Sequence, residues 1–78
     1  MTRLPSLSSR QLIAALRRAG FEDAPHCGKG SHRALVRRER DGIIRLVIVP
    51  ERSDLPRGTV HAILQQAGMT PQELAELL

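Results

Sequence analysis

The sequence predicts a small α+β domain in which a helix, three antiparallel strands and a second helix follow one another, with helices on one face of the sheet and a short extra helix at the C-terminal end. Three observations predict it. Leu12, Ile13, Leu16 and Ala19 recur at helical spacing before Gly20; two β-rich runs, His32 to Arg38 and Ile43 to Val49, flank Arg40-Asp41-Gly42; and helical spacing returns at Val60, Ile63, Leu64 and Ala67 before Gly68. Seventy-eight residues form a single domain, 1–78, whose core is only marginally able to stabilise itself, so oligomerisation or a bound partner is expected.

The first helix is expected at about residues 9–19, opened by a capping box between Ser8 and Gln11 and stopped by Gly20. Its Arg10, Arg17 and Arg18 fall off the apolar stripe, on a face read as solvated, and are assigned no site. Phe21 to Cys27 stands where a short strand is needed, yet Glu22, Asp23 and Pro25 are poor strand residues. If a strand forms there it is an edge strand, with Phe21 plugging the core beneath the helix.

Asp41-Gly42 between β-rich runs is a strong hairpin signal. An even-length loop puts His32, Ala34 and Val36 on one face with Ile43, Arg45, Val47 and Val49, and Leu35 on the other with Ile44, Leu46 and Ile48. An odd loop or a bulge near His32 reverses this parity, so the sequence leaves open which face the helices cover. Both faces are then apolar. Helices cover one face of so small a sheet, and the other is expected to meet a second chain. Pro50 closes the third strand, Glu51 to Pro56 cross to the next element, and Arg57-Gly58-Thr59 lead into the second helix. Thr70-Pro71-Gln72-Glu73 is a further capping box, with Met69 stapled onto Leu74 and a last short helix carrying Leu74, Leu77 and Leu78 to the core.

The net charge is +4, and eleven of the twelve cationic residues are arginine, whose planar fork matches phosphate oxygens. Eight of the twelve lie between Lys29 and Arg57, which points to nucleic acid as the partner. Phe21 is the lone aromatic residue, so contacts to phosphate and ribose are expected rather than stacking of unpaired bases. A basic DNA-reading module is disfavoured because no helix combines several arginines with base-reading side chains. The single Cys27 excludes an internal disulfide, and without a Cys/His cluster at zinc spacing neither a metal nor another cofactor is expected. No apolar run approaches the ~20 residues of a membrane helix, and a signal-peptide core is lacking, so no membrane partner and a cytoplasmic location are expected.

Gly28-Lys29-Gly30-Ser31-His32 is the stretch with chemistry in it. Its glycines let backbone approach a phosphate, Lys29 and Arg33 add charge, and His32 is the side chain there able to move a proton near neutral pH. His26 in the preceding loop is a second candidate acid or base, though an exposed loop histidine is the simpler reading, and His61 reads as a solvent histidine. Gly58 with Arg57 at a helix N-terminus could hold a phosphate or merely permit a tight entry turn.

The element order resembles the double-stranded-RNA-binding fold. Gly20-Phe21, Gly30-Ser31-His32, Asp41-Gly42, Val49-Pro50 and Gly58-Thr59 before Ile63-Leu64 and Ala67-Gly68 resemble, in joint order and spacing, the HicA toxins of toxin-antitoxin systems. The resemblance implies a metal-independent messenger RNA endonuclease, inhibited by a HicB-like antitoxin, with the histidine of Gly-Ser-His essential. That histidine is His32, and Arg52 stands where many members carry a second one.

The reaction that fits is attack of a ribose 2′-hydroxyl on the adjacent phosphate, with His32 as general acid or base. Lys29 and Arg33 are nearest to the charge that develops on phosphorus, and Lys29, Gly30, Ser31, Arg33, Arg45 and Arg57 form the expected RNA-binding set. A lone histidine contributes ~10²- to 10⁴-fold, so a slow nuclease is expected. It would exist as a homodimer or as a heteromeric toxin-antitoxin complex. The alternative from another class is a non-catalytic RNA-binding module of the same fold, which has no need of a histidine at that strand entrance.

Overall fold

A computed structural model of the chain describes residues 3–24, 30 and 32–78. Helix α1 (Ser9–Arg18) begins with the expected box: Gln11 N–H donates to Ser8 Oγ at 3.2 Å and Ser8 N–H donates to Gln11 Oε1 at 2.9 Å. Leu12, Ile13, Ala15 and Leu16 are buried along its inner face. Strand β1 (Glu22–Asp23) is only two residues long, as its composition dictates, and pairs antiparallel with β2 (His32–Arg38). Phe21, immediately before it, is 2 % exposed and fills the core.

Strand β3 (Ile44–Pro50) completes an antiparallel sheet of order β1-β2-β3, with Pro50 as its last residue, opposite His32. The connection settles which residues share a face. Glu39 N–H donates to the Ile43 carbonyl at 2.7 Å and Gly42 N–H to the Glu39 carbonyl at 3.1 Å, with Gly42 at φ +87°. This is a three-residue hairpin loop closed by a left-handed glycine. Its odd length reverses the facing expected from an even loop. Arg33, Leu35 and Arg37 share the helix-covered face with Arg45, Val47 and Val49, whereas His32, Ala34, Val36 and Arg38 share the outer face with Ile44, Leu46, Ile48 and Pro50.

Helix α2 (Arg57–Ala67) follows Pro56 at its N-cap, which offers no side-chain oxygen, and ends at Gly68 in the left-handed region. Helix α3 (Pro71–Leu77) opens with the Thr70/Glu73 box. The core lies between the helices and the inner sheet face, where Leu12, Leu16, Leu35, Val47, Val49, Leu64 and Leu74 are fully buried. Leu77 packs at its margin, but Leu78, expected in the core, is 46 % exposed because the helix has already ended.

Two latches hold the segment after β3 against the start of α1. Ser9 N–H donates to the Arg52 carbonyl at 2.9 Å, and Ser9 Oγ accepts from Arg52 N–H and donates to the same carbonyl, each at 3.1 Å. Leu55 N–H donates to the Leu7 carbonyl at 2.7 Å. Buried Ser9 is thereby satisfied, and the His32 end of the sheet is fixed beside α1.

Candidate nucleic-acid interface

His32 is the first residue of β2, exposed, on the outer face. Gly30, two residues earlier, has φ +59°, a conformation that glycine adopts without strain and that other residues adopt only rarely. Gly28, Lys29 and Ser31 of the same motif, like His26 and Cys27, lie outside the described residues.

Arg33, one residue on, faces the helices. Its Nη2 donates to Asp23 Oδ1 at 3.2 Å, and Arg17 Nη2 on α1 donates to Asp23 Oδ2 at 2.7 Å. The hydrogen bond from Arg17, then that from Arg33, holds the Asp23 carboxyl below its ordinary value, partly offset by desolvation. Beside this triplet is a cleft of about 390 Å³ lined by Ser9, Arg10, Ile13, Arg17, Arg33 and Glu51. Sequence reasoning left Arg10 and Arg17 on a solvated face. Their spacing of seven, with Ile13 between, already placed them on one side of a helix. What it could not supply was the strand end that comes to lie alongside.

Arg45 is not brought to His32. It pairs opposite Arg37, five residues along β2 and so roughly 17 Å away. Its Nε donates to Glu39 Oε1 at 2.7 Å, while Arg37 Nη2 donates to the same oxygen at 2.9 Å and Arg37 Nη1 to the Ala19 carbonyl at 2.9 Å. The hydrogen bond from Arg37, with help from Arg45 and against some desolvation, holds Glu39 below the usual carboxylate value. Arg45 also packs against Gly68, where an added Cβ would lie 2.6 Å from its Cζ. This end of the sheet is a structural clamp. Arg57 stands exposed at the start of α2, in a second groove of about 460 Å³ with Arg3, Asp54 and His61, which shares no lining residue with the cleft.

The His32 end of the sheet thus carries an exposed histidine on its outer face and three arginines on its helix side. The arginine side is suited to binding phosphates, and an imidazole on the other side is a side chain able to exchange a proton near neutral pH. Among the described residues no group of three His, Cys, Asp or Glu side chains is placed to hold a metal ion, and no helix is long and apolar enough to cross a membrane.

Compared with known families, residues 9–69 match a family model described as the HicA toxin of bacterial toxin-antitoxin systems. No curated protein matches the chain.

Proposed function

The chain belongs to the HicA toxin family, the toxin side of a toxin-antitoxin pair, and from that premise we propose that it is a metal-independent endoribonuclease that cleaves messenger RNA with His32 as general acid and base. The observation that carries this reading is the position of His32, exposed at the entrance of β2 immediately after a glycine turn, with Arg33 on the reverse side of the same strand end. A binding module has no use for a histidine there.

In the proposed reaction His32 takes the proton of a ribose 2′-hydroxyl as the 2′-oxygen bonds to the adjacent phosphorus. The bond from phosphorus to the 5′-oxygen breaks, and the proton is returned to that leaving oxygen. The products are a 2′,3′-cyclic phosphate and a 5′-hydroxyl end. Lys29 would stabilise the charge that develops on phosphorus, and Gly30 and Ser31 would let backbone approach it; Arg33, expected beside it from the sequence, faces the helices and pairs with Asp23 instead. Arg57 would hold RNA further along, whereas the Glu39 pairing of Arg45 assigns that residue to the fold.

The antitoxin is proposed to be HicB-like and acidic, and to block RNA by covering the outer face of the sheet. Val36, Ile44, Leu46 and Ile48 form an apolar surface on that face, flanked by His32 and Arg38, with Ile44 56 % and Leu46 44 % exposed. Leu35, which an even-length loop would group with Ile44, Leu46 and Ile48, instead faces the helices, as does Arg33.

Incubating the purified protein with RNA and a chelator tests the reaction. Cleavage to cyclic-phosphate ends is expected, with resistance of an RNA carrying 2′-deoxyribose at the cleaved position. Dependence on added divalent metal, or cleavage of the deoxy substrate, would overturn it.

A further inference from the structure

We propose that the cleft between α1 and the His32 end of the sheet is a second phosphate subsite, in which Arg10, Arg17 and Arg33 hold backbone phosphates of the RNA neighbouring the one at His32. This inference rests on the nuclease reading and adds to it a binding path along the helix side of the strand end.

Arg10 and Arg17 lie two helical turns apart on α1, about 10.5 Å of rise, with Ile13 between them at the wall of the cleft. Arg33 reaches the same cleft from β2. The latches of Ser9 to Arg52 and Leu7 to Leu55 fix the opposite wall. The three side chains are therefore presented by elements held rigidly in place, not by loop tips.

The charges are disposed for a ligand. Asp23 accepts from one Nη2 of Arg17 and one of Arg33, which sets the two guanidinium groups side by side. A guanidinium has five N–H donors, so each keeps most of its capacity, and the two side chains remain 48 % and 42 % exposed. Arg10 is exposed and has no acidic partner among the described residues. Three cations face Asp23 and Glu51, leaving a surplus of positive charge in the cleft. The arginines at the other end of the sheet contrast with this, since Arg37 and Arg45 converge on Glu39 and on helix carbonyls.

The ligand chemistry follows from what the lining contains. Planar forks spread over two helical turns suit separate, non-adjacent phosphates of an extended strand, and the lining residues include no aromatic ring on which to stack a base. Binding in the cleft would therefore be insensitive to base sequence and sensitive to salt.

Fluorescence anisotropy of a labelled single-stranded RNA tests this, using His32→Ala protein so that the RNA stays intact. In that background Arg10→Ala should weaken binding ~3- to 10-fold and reduce the slope of log affinity against log salt by about 0.7, the value for one phosphate contact on a single strand. Arg40→Ala, at the hairpin tip far from the cleft, should leave both unchanged. Circular dichroism should show the Arg10→Ala protein folded, because the exposed Arg10 side chain makes no hydrogen bond or ion pair among the described residues. If the His32→Ala parent binds RNA and Arg10→Ala changes neither affinity nor slope, the cleft is not a phosphate subsite. If the parent binds no RNA at any salt, the nuclease reading fails and the subsite with it.

Discussion

The guanidinium of Arg37 lies over the ring of Phe21, its carbon 4.6 Å from the ring centroid. From this position it donates to the Ala19 carbonyl at the C-terminal end of α1 and makes a longer contact, 3.5 Å, with the Ala67 carbonyl at the end of α2. A strand residue thereby ties both helix termini to the sheet, where a cation also complements the partial negative charge of the helix ends.

Arg37→Ala should lower stability by about 2 kcal/mol, from the lost carbonyl hydrogen bond and the packing on Phe21. For a domain of this size that corresponds to a fall in Tm of roughly 10 °C. Thermal denaturation followed by circular dichroism measures it. An unchanged Tm would show that the contact over Phe21 contributes nothing.

Acid should weaken the fold through the carboxylates that arginines hold in the charged state. Glu39, from an ordinary value of 4.5, and Asp23, from 3.8, are both lowered, chiefly by hydrogen bonds from Arg37 and Arg17 respectively. Glu73 is lowered as well, by the Thr70 backbone N–H of the capping box. A group whose folded value is depressed contributes fully above its unfolded value and loses that contribution as pH falls through the folded one. Tm should therefore be flat from neutral pH down to about 5 and fall progressively below about 4.5. Glu39→Gln should start lower and show a shallower acid decline. The same acid slope in Glu39→Gln as in the parent would contradict the assignment.

Most of the fold was legible because local chemistry determines it. Ser8 with Gln11 and Thr70 with Glu73 cap their helices as written, and Gly68 ends α2 in the left-handed region as its position requires. The strand faces stayed open in the sequence because parity depends on a single residue of loop length. Asp41-Gly42 signals a hairpin equally well for an even or an odd loop, and the Glu39 to Ile43 hydrogen bond makes it odd. His32 was legible as a lone histidine at a strand entrance. Arg10 and Arg17 were not, since their proximity to Arg33 arises from Asp23 and from latches between residues more than forty positions apart, such as Ser9 and Arg52.

Leu46→Asp should abolish co-purification with the antitoxin while leaving the free protein folded, because Leu46 is exposed on the outer face and an acidic partner would be repelled there. Affinity capture of the co-expressed pair, with circular dichroism of the variant alone, checks both statements. Retention of the complex by a folded Leu46→Asp protein would place the antitoxin elsewhere.

The measurement that tests the central claim most directly is RNA cleavage by His32→Ala protein, scored beside growth inhibition and circular dichroism. His32 is exposed at the start of β2 and contributes nothing to the core, so the variant should be folded. Cleavage should fall by ~10²-fold or more, the contribution of a positioned general acid or base, and growth inhibition should be lost. A folded His32→Ala protein that still cleaves RNA at the parental rate would contradict the mechanism, and a parent that binds RNA without cleaving it would leave a non-catalytic RNA-binding module.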